Sequence, residues 1–314
     1  MLLAACAAVP QGTPADASFA LIGDMPVLSS DVPLFDAMID EMNAEDLSFI
    51  AHVGDIKSGG SACSDELFAA RKRQFERSRH PFILLPGDND WTDCHRSGGD
   101  PLEALTRFRR VFYPDDGSLG ERAIRIERQS DHPRYRDYRE HMRWTFANVM
   151  FVALNVQGSN NNLGRTAEMN KEFARRMAAV LAWLEDSVAV AEEKKFGAIV
   201  ILMQADPDFE GRVRHSSEAL DGYATFKSAL LACARRWTRP IVLVHGDTHN
   251  YQQNQPLKDP QSGKTLSNFT RVEVYGSPQV QWVKGEIRKQ SGRETVLSFI
   301  PMPASPFLPV GSPQ

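Results

Sequence analysis

Apolar positions along this chain fall into short continuous runs separated by stretches of helical spacing. Residues 18–22, 47–53 and 82–85 are apolar runs bounded by Gly or Pro, which predicts three buried strands. Between the first two, Leu34, Phe35, Met38, Ile39 and Met42 mark one helix face. Leu67, Phe68 and Phe75 mark a second, on a strongly charged helix, and Leu102, Leu105, Phe108 and Phe112 a third. Residues 142–147 and 149–156 read as an antiparallel hairpin turning near Asn148. A long helix then carries Phe173, Met177, Val180, Leu181, Leu184 and Val188 at 3.6 spacing. Residues 198–203 return as a strand, 217–237 as a helix and 241–244 as a strand; 269–275, 280–287 and 295–300 follow as alternating strand patterns. Strand–helix alternation implies a largely parallel sheet, and the antiparallel additions imply a second one. No repeat or linker divides the chain after residue 17. The expectation is one domain over 18–304, with 1–17 as a signal remnant or tether and 305–314 as a tail.

Composition narrows the function classes. At 314 residues, with 42% hydrophobic and 24% charged residues, the chain resembles an ordinary soluble globular protein. A formal net charge of −4 argues against nucleic acid as a bulk ligand. After the N-terminus, no apolar run has the length of a transmembrane segment. Leu3-Ala4-Ala5-Cys6 resembles a bacterial lipobox, in which Cys6 carries the lipid; a disordered apolar N-terminus is the alternative. Cys63 and Cys94 lie in polar loops, and a disulfide between them would suit an extracytoplasmic compartment, periplasmic or lipid-anchored. Two free thiols is the other reading. Cys233 sits in an apolar helical segment, where a buried inert thiol is expected.

The chemistry is announced by a recurrence. Gly23-Asp24, Gly54-Asp55, Gly87-Asp88 and Gly246-Asp247 each follow an apolar strand. A single Gly-Asp is ordinarily a turn with a solvated carboxylate. Four at strand ends are another matter, because strand carboxyl ends line the ligand crevice of an open α/β sheet. Carboxylates gathered in one crevice repel one another and lose hydration, and hard divalent cations with oxygen ligands offset both.

In order and context these segments resemble the calcineurin-like metallophosphoesterases, which carry D-x-H, G-D, G-N-H-[DE], a lone His and G-H-x-H at strand ends. The counterparts here are Asp24-Met25-Pro26, Gly54-Asp55, Gly87-Asp88-Asn89-Asp90, Gln204 within Leu202–Pro207, and Gly246-Asp247-Thr248-His249, spanning about residues 18 to 300. The resemblance implies an α/β fold, a two-sheet β-sandwich flanked by helices, and hydrolysis of a phosphate monoester or diester. It implies that Asp24, Asp55, Asp88, Gln204, Asp247 and His249 hold metal, with Asp55 bridging, and that Asn89, Asp55 and His249 serve catalysis. Asp206 is the alternative to Gln204. Pro26 and Asn89 replace family histidines, Gln204 replaces the lone His, and Asp247 replaces the first His of G-H-x-H. Imidazoles have given way to carboxylates and amides, so one or two Mg²⁺, Mn²⁺ or Ca²⁺ ions are favoured over Zn²⁺.

Other residues are candidates for contact with a small phosphorylated substrate: Arg96, Asn155 and Asn160. For Arg96 a surface salt bridge, and for the 158–164 loop a plain polar loop, are the ordinary alternatives. His52 and His245 read as supporting donors or as satisfied core histidines, and the arginine-rich stretch 134–143 as a solvated face. The rival to an enzyme is an eroded, non-catalytic binding protein on the same fold.

Overall fold

The computed structural model describes residues 15–213, 215, 220–289 and 294–303. Cys6 and the 305–314 tail lie outside these. Twelve strands among the described residues form two sheets. In the first, β1 (Ala17–Ile22), β2 (Ile50–His52) and β3 (Phe82–Leu84) run parallel, β11 (Val283–Lys289) adds antiparallel to β1, and β12 (Thr295–Pro301) adds antiparallel to β11 at the edge. The second places β6 (Val149–Ala153), β7 (Ala198–Leu202), β8 (Ile241–His245) and β10 (Phe269–Glu273) parallel at its centre. Its flanks are antiparallel: β4 (Glu127–Arg128) and β5 (Met142–Phe146) on one side, β9 (Gln252–Asn254) on the other.

Period-two side chains explain the layering. On β6 and β7, Val149, Phe151, Ala153, Ala198, Val200 and Leu202 point into the space between the sheets. There Phe151 meets Phe19 and Phe49 edge-on at 5.1 and 4.9 Å. The intervening Met150, Val152, Ile199 and Ile201 face outward, under Met177, Val180 and Leu184 of helix Ala167–Glu193 and Phe226 and Leu230 of helix Ala224–Arg236. Helices Asp31–Ala44 and Asp65–Phe75 cover the outer face of the first sheet with Phe35, Met38, Phe68 and Phe75. The expected α/β two-sheet sandwich flanked by helices is therefore what the chain forms.

Local departures have local causes. Ala17, expected in the tether, already opens β1, and Asp16 donates its backbone N–H to Ile287. The strand expected to reach 156 stops at Ala153, because the carbonyl of Asn155 is taken by Arg176. The helix expected from 217 is described from Ala224, and residues 216–219 lie outside the described set. Within the arginine-rich stretch, Arg143 is buried, not solvated: its guanidinium lies over the Trp183 ring at 4.3 Å and pairs with Asp186 at 2.8 Å and with Glu127. Cys63 and Cys94 are disulfide-bonded, and Cys233 is a buried free thiol. No helix among the described residues is long and apolar enough to cross a membrane.

Candidate active site

All four strand-following aspartates reach one place, at the carboxyl ends of β1, β2, β3 and β8. Glycines make the approach possible. A Cβ on Gly87 would lie 2.0 Å from Asp55 Oδ1, and one on Gly246 would lie 1.9 Å from Asp24 Oδ2. The glycine of one motif thus vacates space for the carboxylate of another, which is the physical content of the recurrence. The backbone bends sharply here as well. Asp24, Asp55, Asp247 and His249 all have positive φ, at 52°, 62°, 79° and 66°. Left-handed backbone at a non-glycine costs on the order of 1–3 kcal/mol and concentrates at functional sites.

Hydrogen bonds knit the cluster. Asp24 accepts the Asp247 backbone N–H at 3.1 Å. Asp55 accepts the Asn89 backbone N–H at 2.9 Å, the Asn89 side-chain amide at 3.0 Å and the Gln204 amide at 3.1 Å. The same Gln204 amide stands 3.5 Å from Asp247 Oδ1, while Gln204 Oε1 accepts the Gly158 N–H at 2.6 Å. Asp88 accepts the Ser159 hydroxyl at 2.8 Å. His249 Nδ1 lies 2.6 Å from the Ser277 carbonyl, and its Nε2 stands 3.9 Å from Asp24 Oδ1. A proton on Nδ1 would satisfy that carbonyl and leave the Nε2 lone pair facing the carboxylates, the arrangement of a metal-binding imidazole.

Electrostatics register the crowding. Burial, then the charge of Asp247, holds the Asp24 carboxyl well above the usual carboxylate range. Burial and Asp88 do the same to Asp55. Burial and Asp93 raise Asp88, and burial with Asp88 pushes Asp247 up to about 7. Beneath the cluster, Asp90 is a framework residue: it accepts the backbone N–H groups of Asp55, Ile56 and Gly87 at 2.8–3.0 Å and so fixes two of the Gly-Asp turns against each other.

Among the described residues, no three His, Cys, Asp or Glu side chains stand in a ready-made metal geometry. The donor set nonetheless fits a divalent cation. Buried oxygens with raised proton affinity, an imidazole aimed inward and a deficit of positive charge are what a hard metal ion would relieve.

The remaining candidates separate. Asn89 and Gln204 belong to the cluster. Asn160 ties its loop to Gly222 and lines a cavity of about 400 Å³ that borders Asp247 and Tyr223. Asp206 lends its backbone N–H to Asp247 but turns its carboxylate to Arg212. Asn155 is a correction: it is fully buried and donates to Glu140 at 3.0 Å, away from the cluster. His52 is a satisfied core histidine between the Met25 carbonyl and the Gly54 N–H, and burial lowers its pKa to about 4. His245 is likewise fully buried, its Nδ1 2.8 Å from the Gly246 carbonyl. Arg96 is ion-paired with Asp93 at 2.7 Å.

Sequence reasoning missed Asp93, and it brought the 158–164 loop toward the site without singling out Ser159. Ser159 Oγ bridges Asp88 and Asp93, and it does so from an unusual turn: Ser159, Asn160, Asn161 and Asn162 are all left-handed, with φ between 51° and 67°. Arg176, fully buried, holds this turn through the Asn161 side chain and carbonyl at 2.7 and 2.9 Å. The run of three asparagines was the available signal, since Asn tolerates this conformation better than most residues.

No protein-family model matches this sequence, and no curated protein matches it. Solved structures do. A dimetal phosphatase from Danio rerio superposes with a TM-score of 0.57 at 13% identity, over 90% of this chain and 99% of that one. A purple acid phosphatase from yellow lupin (Lupinus luteus) seeds gives 0.54 at 13% identity, over 90% of this chain and 51% of that one. GAP50 of Plasmodium, titled the anchor in the inner membrane complex, gives 0.52 at 13% identity, over 92% and 85%. Strand order, site position and these likenesses agree: the chain has the calcineurin-like metallophosphoesterase fold.

Proposed function

We propose that this chain is a metal-dependent hydrolase acting on a phosphate ester of a small molecule, in an extracytoplasmic, bacterial setting. The observation that carries the reading is the convergence of four mutually repelling aspartates, three buried and Asp247 half-buried, and one inward-facing imidazole at the strand ends. Asp24, Asp55, Asp88, Gln204, Asp247 and His249 would hold one or two divalent ions. Oxygen-rich donors favour Mg²⁺, Mn²⁺ or Ca²⁺ over Zn²⁺. Bound there, such ions supply positive charge against the phosphoryl oxygens and lower the pKa of water. Asn89, whose amide now rests on Asp55, would swing its N–H toward a phosphoryl oxygen. It has no proton to give near pH 7, so leaving groups that depart as stable anions suit the site. The Cys63–Cys94 disulfide supports an oxidising compartment, and Cys6 would be the point of lipid attachment.

One observation favours a non-catalytic role: both oxygens of Asp55 are already engaged by amides. Metal analysis of purified protein, with assays on an aryl phosphate and an aryl phosphodiester, separates the readings. We expect stoichiometric metal and turnover, with both lost by orders of magnitude in Asp55→Asn. A protein that takes up no divalent ion and cleaves neither ester is a binding protein on this fold.

A further inference from the structure

One corner of the site is built from cations, and none of the hydrolytic roles above uses it. Asp93, almost fully buried, receives two guanidinium groups: Arg96 at 2.7 Å and Arg165 at 3.4 Å. Arg165 is further fixed to the Thr92 carbonyl. The link from this corner to the carboxylate cluster is short. The Ser159 hydroxyl lies 2.9 Å from Asp93 and 2.8 Å from Asp88. On the other side, a Cβ on Gly59 would lie 2.8 Å from Arg96 Nη1 and 2.7 Å from Asn89 Oδ1. Guanidinium and amide therefore flank the same small space, and that amide is the one bonded to Asp55. The disulfide from Cys94 to Cys63 pins the 3-10 turn Thr92–Ser97, which carries both Asp93 and Arg96.

Charges across the cluster are arranged the other way. Around the cavity beside Asp247, the lining acids Asp206, Asp208 and Asp221 outnumber Arg212 and Lys227, and both cations are already ion-paired there. An anionic extension of a bound ester would be repelled on that side. On the Asp93 side, two arginines share one carboxylate and keep N–H donors to spare, in the planar fork that suits phosphate oxygens. Side-chain exposures of 53% for Arg96 and 24% for Arg165 leave those donors within reach of a ligand.

We propose that Arg96 and Arg165 form a subsite for a second phosphoryl group, so that the preferred substrate is a phosphoric ester bearing two linked phosphoryl groups. The proposal rests on the hydrolase reading for the fate of the first group, but not for the binding of the second. Calorimetry on the full-length Mn²⁺-treated chain would compare methylenebisphosphonate with methylphosphonate, neither of which is cleaved. Wild type should prefer the bisphosphonate. That preference should fall roughly tenfold or more in Arg96→Gln, the loss expected for a charged hydrogen bond, and recover in part in Arg96→Lys. Arg96 is half-exposed and Arg165 remains on Asp93, so the variant should keep its fold; Arg165→Gln is the second test. An unchanged preference in both variants overturns the subsite, as does an equal loss for the two phosphonates. A preference dependent on Arg96 in a protein that hydrolyses no phosphate ester would sink the hydrolase reading and leave the subsite standing. Hydrolysis with a preference indifferent to both arginines would do the reverse.

Discussion

Asp247→Asn should stabilise the metal-free protein while removing its ability to hold metal. Asp247 titrates at about 7 in the folded chain against an ordinary value of 3.8, so ionising it in place costs about 3 pKa units. At 1.36 kcal/mol per unit, this is about 4 kcal/mol at pH 8. Asp247 is only half-buried, so we take about half, or about 2 kcal/mol, as recoverable. Asparagine keeps the shape and still accepts the Asp206 N–H, now 3.1 Å from the carboxylate, so little is lost in exchange. For a chain of this size, with an unfolding entropy of about 2.1 cal/mol/K per residue, the gain is about 3 °C in Tm. The sign follows from linkage. An acid whose folded pKa is raised is stabilising when protonated, and that stability is lost as pH rises from about 4 through about 7. The gap between variant and wild type should therefore be near zero at pH 4 and full at pH 8. Thermal unfolding in chelator at both pH values measures it, and millimolar Mn²⁺ should reverse the order by stabilising wild type alone. A variant no more stable than wild type at pH 8, or equally favoured at both pH values, would refute the repulsion on which the site rests.

Three further outcomes are expected. Asn89→His should leave metal content unchanged and raise hydrolysis of esters with poor leaving groups by about 10²–10⁴-fold, the usual worth of a general acid; equal rates on all leaving groups would remove Asn89 from the chemistry. Arg176→Met should cost about 3–5 kcal/mol in urea unfolding, because Glu172, Asn161 and the Asn155 carbonyl lose a buried partner; a cost below about 1 kcal/mol would show that the left-handed turn holds itself. Thiol titration of unreduced, denatured protein should find Cys63 and Cys94 unreactive, and opening their loop should cost about 3–4 kcal/mol.

What the sequence made legible was what obeys a chain-wide rule. Parallel strands put their carboxyl ends on one edge, so Asp24, Asp55, Asp88 and Asp247 could be gathered without coordinates. The rule does not reside in the dipeptide itself. Gly99-Asp100 is the same pair, yet Asp100 follows no strand and accepts the N–H groups of Leu102 and Glu103 as the cap of helix Pro101–Phe112. Hidden were the residues whose partners lie far along the chain. Ser159 finds Asp93 across 66 residues and Arg165 finds it across 72, and nothing near either position signals a partner. Asn155 and Arg143 misled for the same reason. Each looks solvent-facing by type, and each is buried because Glu140 in one case, and Trp183 with two acids in the other, was waiting in the fold.

The site also bears on whether the missing family histidines mean lost function. Four site residues sit at positive φ, and four carboxyls are held above their ordinary pKa. Strain of this kind persists only where the surroundings over-determine it. Here they do: Asp90 binds three backbone N–H groups of two Gly-Asp turns, and Arg176 locks the turn that brings Ser159 to Asp88. Loss of any one aspartate would relax repulsion and raise stability, so drift alone should erode the set quickly once nothing requires it. Pro26 and Asn89 stand where the resemblance leads one to expect histidines. On the metal-dependent reading proposed above, the carboxylate and amide oxygens gathered here would suit a hard cation such as Mg²⁺, Mn²⁺ or Ca²⁺.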